Sequence, residues 1–168
     1  HLMRNYPEGL RSVILDSVVS TDINFISEIP ESENRVLSEV FAYCESDPVC
    51  REQYPNLEER FFALVRQYDE NPVTINLVEP ETGERYETLM DGAALRSVLF
   101  QLLYVARMHA VLPKVVHDLE QGDTRYIESM WPLFIFDQLI SEGMYYSVIC
   151  AEDADIDVTQ IPIDTLRP

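Results

Sequence analysis

A short apolar run between residues 12 and 19 opens the pattern of hydrophobic and polar positions along this chain. The run is nearly continuous and rich in β-branched side chains, which is typical of a strand buried on both faces of a parallel sheet. A parallel strand needs neighbours that are reached through helical crossovers, yet the pattern that follows is mostly helical. We therefore expect the run to belong to a sheet whose other strands lie outside this chain.

Two helical stripes follow in the first half of the chain. Residues 20–31 are polar and include a proline near their end, so we expect them to be irregular. Ser32 can cap the first helix, and Asn56 with Glu59 has the spacing of a capping box for the second, which should end at residues 71–72. The apolar positions recur at helical spacing; they are Val36, Leu37, Val40, Phe41 and Cys44 in the first helix, and Leu57, Phe61, Leu64, Val65 and Tyr68 in the second.

Two alternating runs at residues 73–78 and 85–90 flank a segment that contains Pro80 and Gly83. Alternation on both sides of turn residues predicts a β-hairpin. We expect helices to precede and follow it.

Three more helices are predicted after the hairpin. Asp91 can cap the first, whose apolar positions extend to Ala106, and Pro113 suits the first turn of the next, which closes at Gly122. The last is expected to run from residue 123 to residue 140, with a kink or restart at the Trp-Pro pair.

The end of the chain is predicted to leave the helical pattern. Gly143 is expected to stop the last helix, and residues 144–150 resemble a second short strand. An acidic tail follows. The whole pattern predicts a mainly α domain of five to six helices, with one β-hairpin and short strand-like segments at the ends. This order is typical of a domain that is inserted into another domain. We expect three segments, which are residues 1–20, 21–150 and 151–168.

Charge excludes some classes of partner. The chain has 168 residues and a formal net charge of −18, which would repel a phosphate backbone or an anionic membrane surface. The sequence has no apolar stretch of the roughly 18–20 residues that a membrane span needs. We therefore expect neither a nucleic acid nor a membrane as partner.

The three cysteines leave two interpretations open. Cys44 and Cys50 are too far apart for a disulfide within one unbroken helix, but the Asp-Pro pair between them should break the helix and fold Cys50 back. Either they form a disulfide, which would indicate an extracytoplasmic protein, or they are buried thiols of a cytoplasmic one. Cys150 is left over. The spacing does not fit a zinc site.

The sequence offers little catalytic chemistry. Its glycines are isolated, so it contains neither a dinucleotide-binding or phosphate-binding loop nor a G-x-S-x-G nucleophile elbow. His109 and His117 lack metal-ligand spacing. We predict no catalytic residue, no metal and no cofactor in this chain. Glu152 and Asp153 form a pair that either faces a cavity or belongs to a solvated tail, and Asp16 is either a functional group at a strand end or a turn residue.

Three segments together resemble α/β-hydrolase serine peptidases of the tripeptidyl-aminopeptidase and prolyl-aminopeptidase type. Residues 6–18 (YPEGLRSVILDSV) are similar to the stretch that enters strand six of those enzymes. The Cys44–Cys50 segment with the following Tyr-Pro pair is similar to part of their helical lid, and residues 146–153 (YSVICAED) to the segment that closes the lid. Their order and distances also agree, so the resemblance covers nearly the whole chain.

The resemblance implies that residues 1–20 are a remnant of the hydrolase core, residues 21–150 the lid, and residues 151–168 a connector back to the core. The serine, acid and histidine would then lie outside this chain, and its partners would be that core and a peptide or a small ester or amide substrate. Lid carboxylates of such enzymes commonly bind the free amino group of a peptide, which implies this role for Glu152 and Asp153. The resemblance also implies that Cys150 forms a disulfide with a cysteine that comes later in the hydrolase sequence.

A second hypothesis is an autonomous helical interaction domain whose acidic surface binds a basic partner. The opening run distinguishes the two hypotheses, because a self-contained helical domain has no sheet in which such a strand could be buried. In a hydrolase lid studied alone, we expect the run to be exposed and able to pair with a second copy.

Overall fold

The computed structural model describes residues 2–16, 18–20, 23–137 and 141–155. Their α-helices are α1 (Leu2–Asn5), α2 (Phe25–Ser46), α3 (Pro48–Gln53), α4 (Leu57–Glu70), α5 (Gly92–Leu103), α6 (Leu112–Glu120), α7 (Arg125–Met130), α8 (Pro132–Ile135) and α9 (Glu142–Glu152), and the strands are β1 (Val73–Val78) and β2 (Arg85–Met90). The mainly α fold with one β-hairpin is confirmed. Five of these helices have nine or more residues, and the others are single turns or slightly longer.

The hairpin has the predicted bounds. β1 and β2 pair antiparallel, with Val73 opposite Met90 and Val78 opposite Arg85. Gly83 lies in the turn with φ +73°, a backbone conformation that glycine adopts without steric cost. Local turn chemistry and alternation therefore define this element.

The core lies where α2, α4, α5 and α6 meet one face of the hairpin. The predicted stripe of α4 is buried along its whole length, and Ile127 of α7 is fully buried beside β1. Asp91 caps α5 by accepting a hydrogen bond from the Ala94 amide (2.8 Å), as predicted. Pro113 lies in the first turn of α6, and Ala106 lies beyond α5 in a short 3-10 helix.

The start of α2 differs from the prediction. The helix begins at Phe25, and Asn24 caps it by accepting a hydrogen bond from the Ser27 amide at 3.0 Å. Ser32 and Pro30 both lie inside the helix. Polar composition suggested an irregular segment here, but the cap at Asn24 and the packing of the helix against its neighbours outweigh the cost of one proline.

The capping box predicted at the start of α4 is also wrong. Asn56 has a left-handed backbone (φ 53°), and its side chain makes no capping hydrogen bond. Asparagine is one of the few residues that tolerates this conformation. Asn56 lies in the short turn between the end of α3 at residue 53 and the start of α4 at residue 57.

Cys44 and Cys50 are joined by a disulfide with a Cα–Cα distance of 5.1 Å. α2 ends at Ser46, and Asp47 then caps α3 by accepting hydrogen bonds from the Val49 and Cys50 amides (3.0 and 2.8 Å). This change of direction between two helices brings the cysteines within the range that a disulfide allows.

The opening run is not a strand. Its described residues have no regular secondary structure, and Ile14 is 93% exposed. The described residues contain a single sheet, the β1–β2 hairpin, and the run does not pair with it. Without a partner strand its backbone gains no ladder of hydrogen bonds, so the apolar pattern alone does not produce a strand.

The end of the described chain also differs from the prediction. Residues 144–150 belong to helix α9, with Gly143 inside its first turn. The restart predicted at the Trp-Pro pair is confirmed, because α7 ends at Met130 and α8 begins at Pro132. The last residues predicted for this helix, 138–140, lie outside the described residues, as does the acidic tail beyond residue 155. A short apolar segment cannot be assigned to helix or strand by its pattern alone.

Candidate functional site

A cavity of about 670 Å³ lies between α9 and the segment that leads into α2. Both carboxylate residues singled out in the sequence, Glu152 and Asp153, line it. The rest of its lining is largely apolar and includes Val19, Ile23, Phe25, Tyr145, Val148 and Ile149. The structure thus brings the carboxylate pair together with residues about 130 positions earlier in the chain.

Asp153 stabilises the fold through two hydrogen bonds with the start of α2. Its backbone carbonyl accepts a hydrogen bond from the Asn24 side-chain amide (2.8 Å), and its carboxylate accepts one from the Phe25 amide (3.3 Å). A carboxylate at this position meets the unpaired N–H groups and the positive end of the α2 dipole. Asp153 therefore acts as a second cap of α2.

Glu152 has a different environment. Its side chain is exposed at the edge of the cavity and makes no hydrogen bond or ion pair with the described part of the chain. Of the two adjacent carboxylates, Glu152 is the one available to a cationic group that enters the cavity.

The cavity belongs to a larger exposed apolar surface. We call Val19, Ile23, Tyr145 and Val148 the apolar face; each is exposed and each lines the cavity. α9 contains no buried residue, although most of its side chains are apolar. Contiguous exposed apolar surface of this kind marks an interaction site more often than a free surface.

A second cavity of about 400 Å³ adjoins the first, and Phe25 and Tyr145 line both. It contains the ion pair in which Arg96 Nη2 donates to Glu33 Oε1 at 3.1 Å. The Nε of Arg96 is buried and has no acceptor among the described residues. We call these two adjoining cavities the groove; Glu152 lines the first cavity, and the ion pair lines the second.

The remaining candidates do not join this groove. His109 Nε2 lies 2.8 Å from the carbonyl oxygen of Leu103, and His117 contacts Arg60 on the other side of the core. Asp16 lies in the exposed segment before α2. The described residues contain no group of three or more side chains placed to hold a metal ion.

The sequence analysis missed a polar cluster between α4 and α6. Arg60 binds both carboxylate oxygens of Glu120, with 2.9 Å between Nε and Oε1, and this hydrogen bonding raises the pKa of Arg60. Its Nη2 lies 3.2 Å from Nδ1 of His117. Guanidinium only donates, so Nδ1 is the acceptor of this contact. Arg60 lies 57 positions from His117 and 60 from Glu120, so no local spacing brings it to the other two.

Comparisons with protein-family models, curated proteins and solved structures find no match to this chain. No helix among the described residues has the length and apolar character needed to cross a membrane.

Proposed function

We propose that this chain is the helical lid of a larger α/β-hydrolase, a serine aminopeptidase whose core supplies the nucleophile and the rest of the triad. The observation that carries the proposal is the hydrogen bond between Asn24 and Asp153. It places the entrance and the exit of the helical unit side by side. A domain inserted into a loop of a host must have its two ends close together.

The exposed apolar surface supports the proposal. Ile14, Leu15 and Val18 are exposed by 60% or more, and the apolar face lies beside the point where this segment meets α2. A host sheet would give the β-branched run the partner strands that it lacks, and would cover part of α9.

Glu152 supports a role in recognising a substrate amino group. An exposed carboxylate at the edge of a largely apolar cavity favours a ligand with an ammonium group next to an apolar side chain. Closing such a lid over the core would exclude water and admit the free end of a peptide. Hydrolysis itself would belong to the core, because the sequence contains no nucleophile elbow.

Two proteins test the proposal: this chain alone and the full gene product that contains it. Each is treated with a fluorophosphonate probe, which labels activated serines, and with aminoacyl anilides. We expect the chain alone to be inert and the gene product to be labelled and active. A gene product without a reactive serine would overturn the proposal and favour the acidic interaction domain.

A variant tests the role of Glu152 within the gene product. Glu152→Gln removes one charge at the cavity edge, and we expect it to raise KM for aminoacyl anilides about tenfold, the scale of one hydrogen bond to a charged group. Hydrolysis of an N-acetylated ester should be unchanged, since that substrate has no ammonium group. Glu142→Gln, at the start of the same helix, is the matched control. Equal effects of both variants would exclude a specific role for Glu152.

A further inference from the structure

The two strands of the hairpin have different surroundings on their outer edges. Where the strands begin to pair, the Glu79 amide donates to the Glu84 carbonyl at 2.9 Å, and bonded and non-bonded residue pairs alternate along the ladder from there. Asn76 of β1 fits this alternation, because its amide points away from β2 and donates to Glu128 Oε1 at 3.0 Å. Helix α7 therefore covers part of the outer edge of β1.

The outer edge of β2 has no such cover among the described residues. By the same alternation, Arg85 and Glu87 direct their backbone N–H and C=O groups away from β1. These groups form no hydrogen bond with the described part of the chain, and both residues are exposed. A free edge of this kind is a template on which another strand can pair.

The charges on this edge are complementary to themselves. Arg85 and Glu87 have opposite signs, and neither forms an ion pair with the described residues. In an antiparallel pair of two β2 strands with Tyr86 opposite Tyr86, Arg85 of each copy faces Glu87 of the other. The same residues direct their backbone groups outward, so they also exchange the inter-strand hydrogen bonds. A two-fold axis through Tyr86 repeats each contact.

Other registers of this strand pair are less favourable. A shift that puts Glu87 opposite Glu87 brings two carboxylates together, and the reverse shift puts Arg85 opposite Arg85. Intermediate registers place outward backbone groups opposite inward ones, so the hydrogen bonds between the strands are lost. Charged residues on an edge strand usually prevent pairing. Here their opposite signs favour one register and disfavour its neighbours.

We propose that β2 pairs antiparallel with β2 of a second copy of this chain, with Tyr86 on the two-fold axis, to form a four-stranded sheet. Arg85, Tyr86 and Glu87 line neither cavity of the groove, so this interface does not depend on the proposed lid function. The net charge of −18 on each copy opposes association. At about 0.15 M salt, screening weakens that repulsion beyond roughly 8 Å, whereas paired side chains lie within this range. We expect a weak dimer with a dissociation constant below about 1 mM.

Sedimentation equilibrium at about 0.15 M salt measures this dissociation constant. Every protein carries Cys150→Ser, so that the exposed thiol cannot form an intermolecular disulfide. Glu87→Arg places arginines opposite each other and should weaken the dimer about tenfold or more. The exchange R85E/E87R recreates both charge pairs at unchanged net charge, and it should restore the dissociation constant to within about threefold.

Glu39→Arg is the matched control, because it makes the same charge change at an exposed residue of α2. It should alter the dissociation constant less than about twofold, and circular dichroism verifies that every variant is folded. Hydrogen exchange gives an independent measurement. The amides of Arg85 and Glu87 should exchange more slowly as the protein concentration rises, because they are bonded only in the dimer.

Three results would overturn the proposal. One is a chain that stays monomeric at about 1 mM. Another is equal weakening by Glu87→Arg and by the exchange R85E/E87R, because charge pairing would then not define the register. The third is a dimer that Ile14→Asp abolishes and Glu87→Arg leaves intact, which would place the contact at the opening run.

Discussion

The side-chain amide of Asn24 donates a hydrogen bond to the backbone carbonyl of Asp153, 129 positions later in the chain, at 2.8 Å. The same asparagine caps α2 through its side-chain oxygen, which accepts from the Ser27 amide. One side chain thus starts the longest helix and ties the last described helix to it. It connects the two ends of the helical unit.

Asn24→Ala removes both hydrogen bonds, and Asn24→Asp keeps the cap while removing the donor to Asp153. We expect the alanine variant to lower the free energy of unfolding by about 2 kcal/mol and the aspartate variant by about 1 kcal/mol. Urea denaturation measures both values. Hydrogen exchange of α9 should accelerate in both variants, since both release its end. Unchanged exchange in α9 would show that this tie does not hold the helix.

Gly92 begins α5 in a place where no side chain fits. A Cβ atom there would lie 2.3 Å from the carbonyl oxygen of Val65 and 2.6 Å from the side chain of Asp69, which accepts the Gly92 amide hydrogen bond at 2.9 Å. We expect Gly92→Ala to destabilise the protein by about 2 kcal/mol or more, because the contact with α4 must open.

Gly143 provides the matched control for Gly92. It also lies in the first turn of a helix, and a Cβ atom added there meets nothing within 4 Å. Gly143→Ala should therefore be neutral or stabilising by about 0.5 kcal/mol in the same urea experiment. Similar losses for both variants would mean that the close approach of α4 and α5 at Gly92 does not explain the effect.

The sequence predicts best the elements whose signals are local. The hairpin is correct to the residue, because alternation and turn residues act within a few positions of each other. The α4 stripe is correct for the same reason, since its period alone identifies the buried face. The cap at Asp91 is likewise local.

Elements that depend on a distant partner were predicted poorly. Residues 12–16 and 144–150 have similar apolar composition, yet the first segment is irregular and the second is helical. A strand exists only where another strand pairs with it, and the sequence does not show whether one is present. The sequence also does not show that Asp153 caps α2 while Glu152 stays exposed, because this difference depends on where the start of α2 lies.

The disulfide offers a test of how α2 and α3 are held together. The entropy of closing so short a loop corresponds to about 2 kcal/mol. We expect C44A/C50A to lower the free energy of unfolding by at least that amount, because it also removes the buried Cys44 sulfur. A reductant should destabilise the unmodified protein but not the double variant. Cys150→Ser should have no effect, since Cys150 is an exposed free thiol.

The lowered pKa of Asp123 predicts how the stability of the protein changes as the pH falls. Hydrogen bonds from the Arg125 side chain and backbone amide lower the pKa of Asp123 to about 2, from an ordinary value of 3.8. A carboxyl group whose pKa is lower in the folded state binds protons more readily when unfolded. Its contribution to stability is therefore complete above about pH 4 and disappears as the pH falls towards 2.

Asp123→Asn should accordingly reduce stability at pH 7 and have a diminishing effect at lower pH. Urea denaturation of both proteins between pH 2 and 6 measures this difference, which should approach zero near pH 2. Asp155→Asn is the control, because this exposed carboxylate makes no hydrogen bond or ion pair with the described residues. A difference for Asp123→Asn that persists unchanged at pH 2 would show that the amide itself, and not the lost charge, destabilises the start of α7. The pair of Asp123 and Arg125 would then act through geometry and not through ionisation.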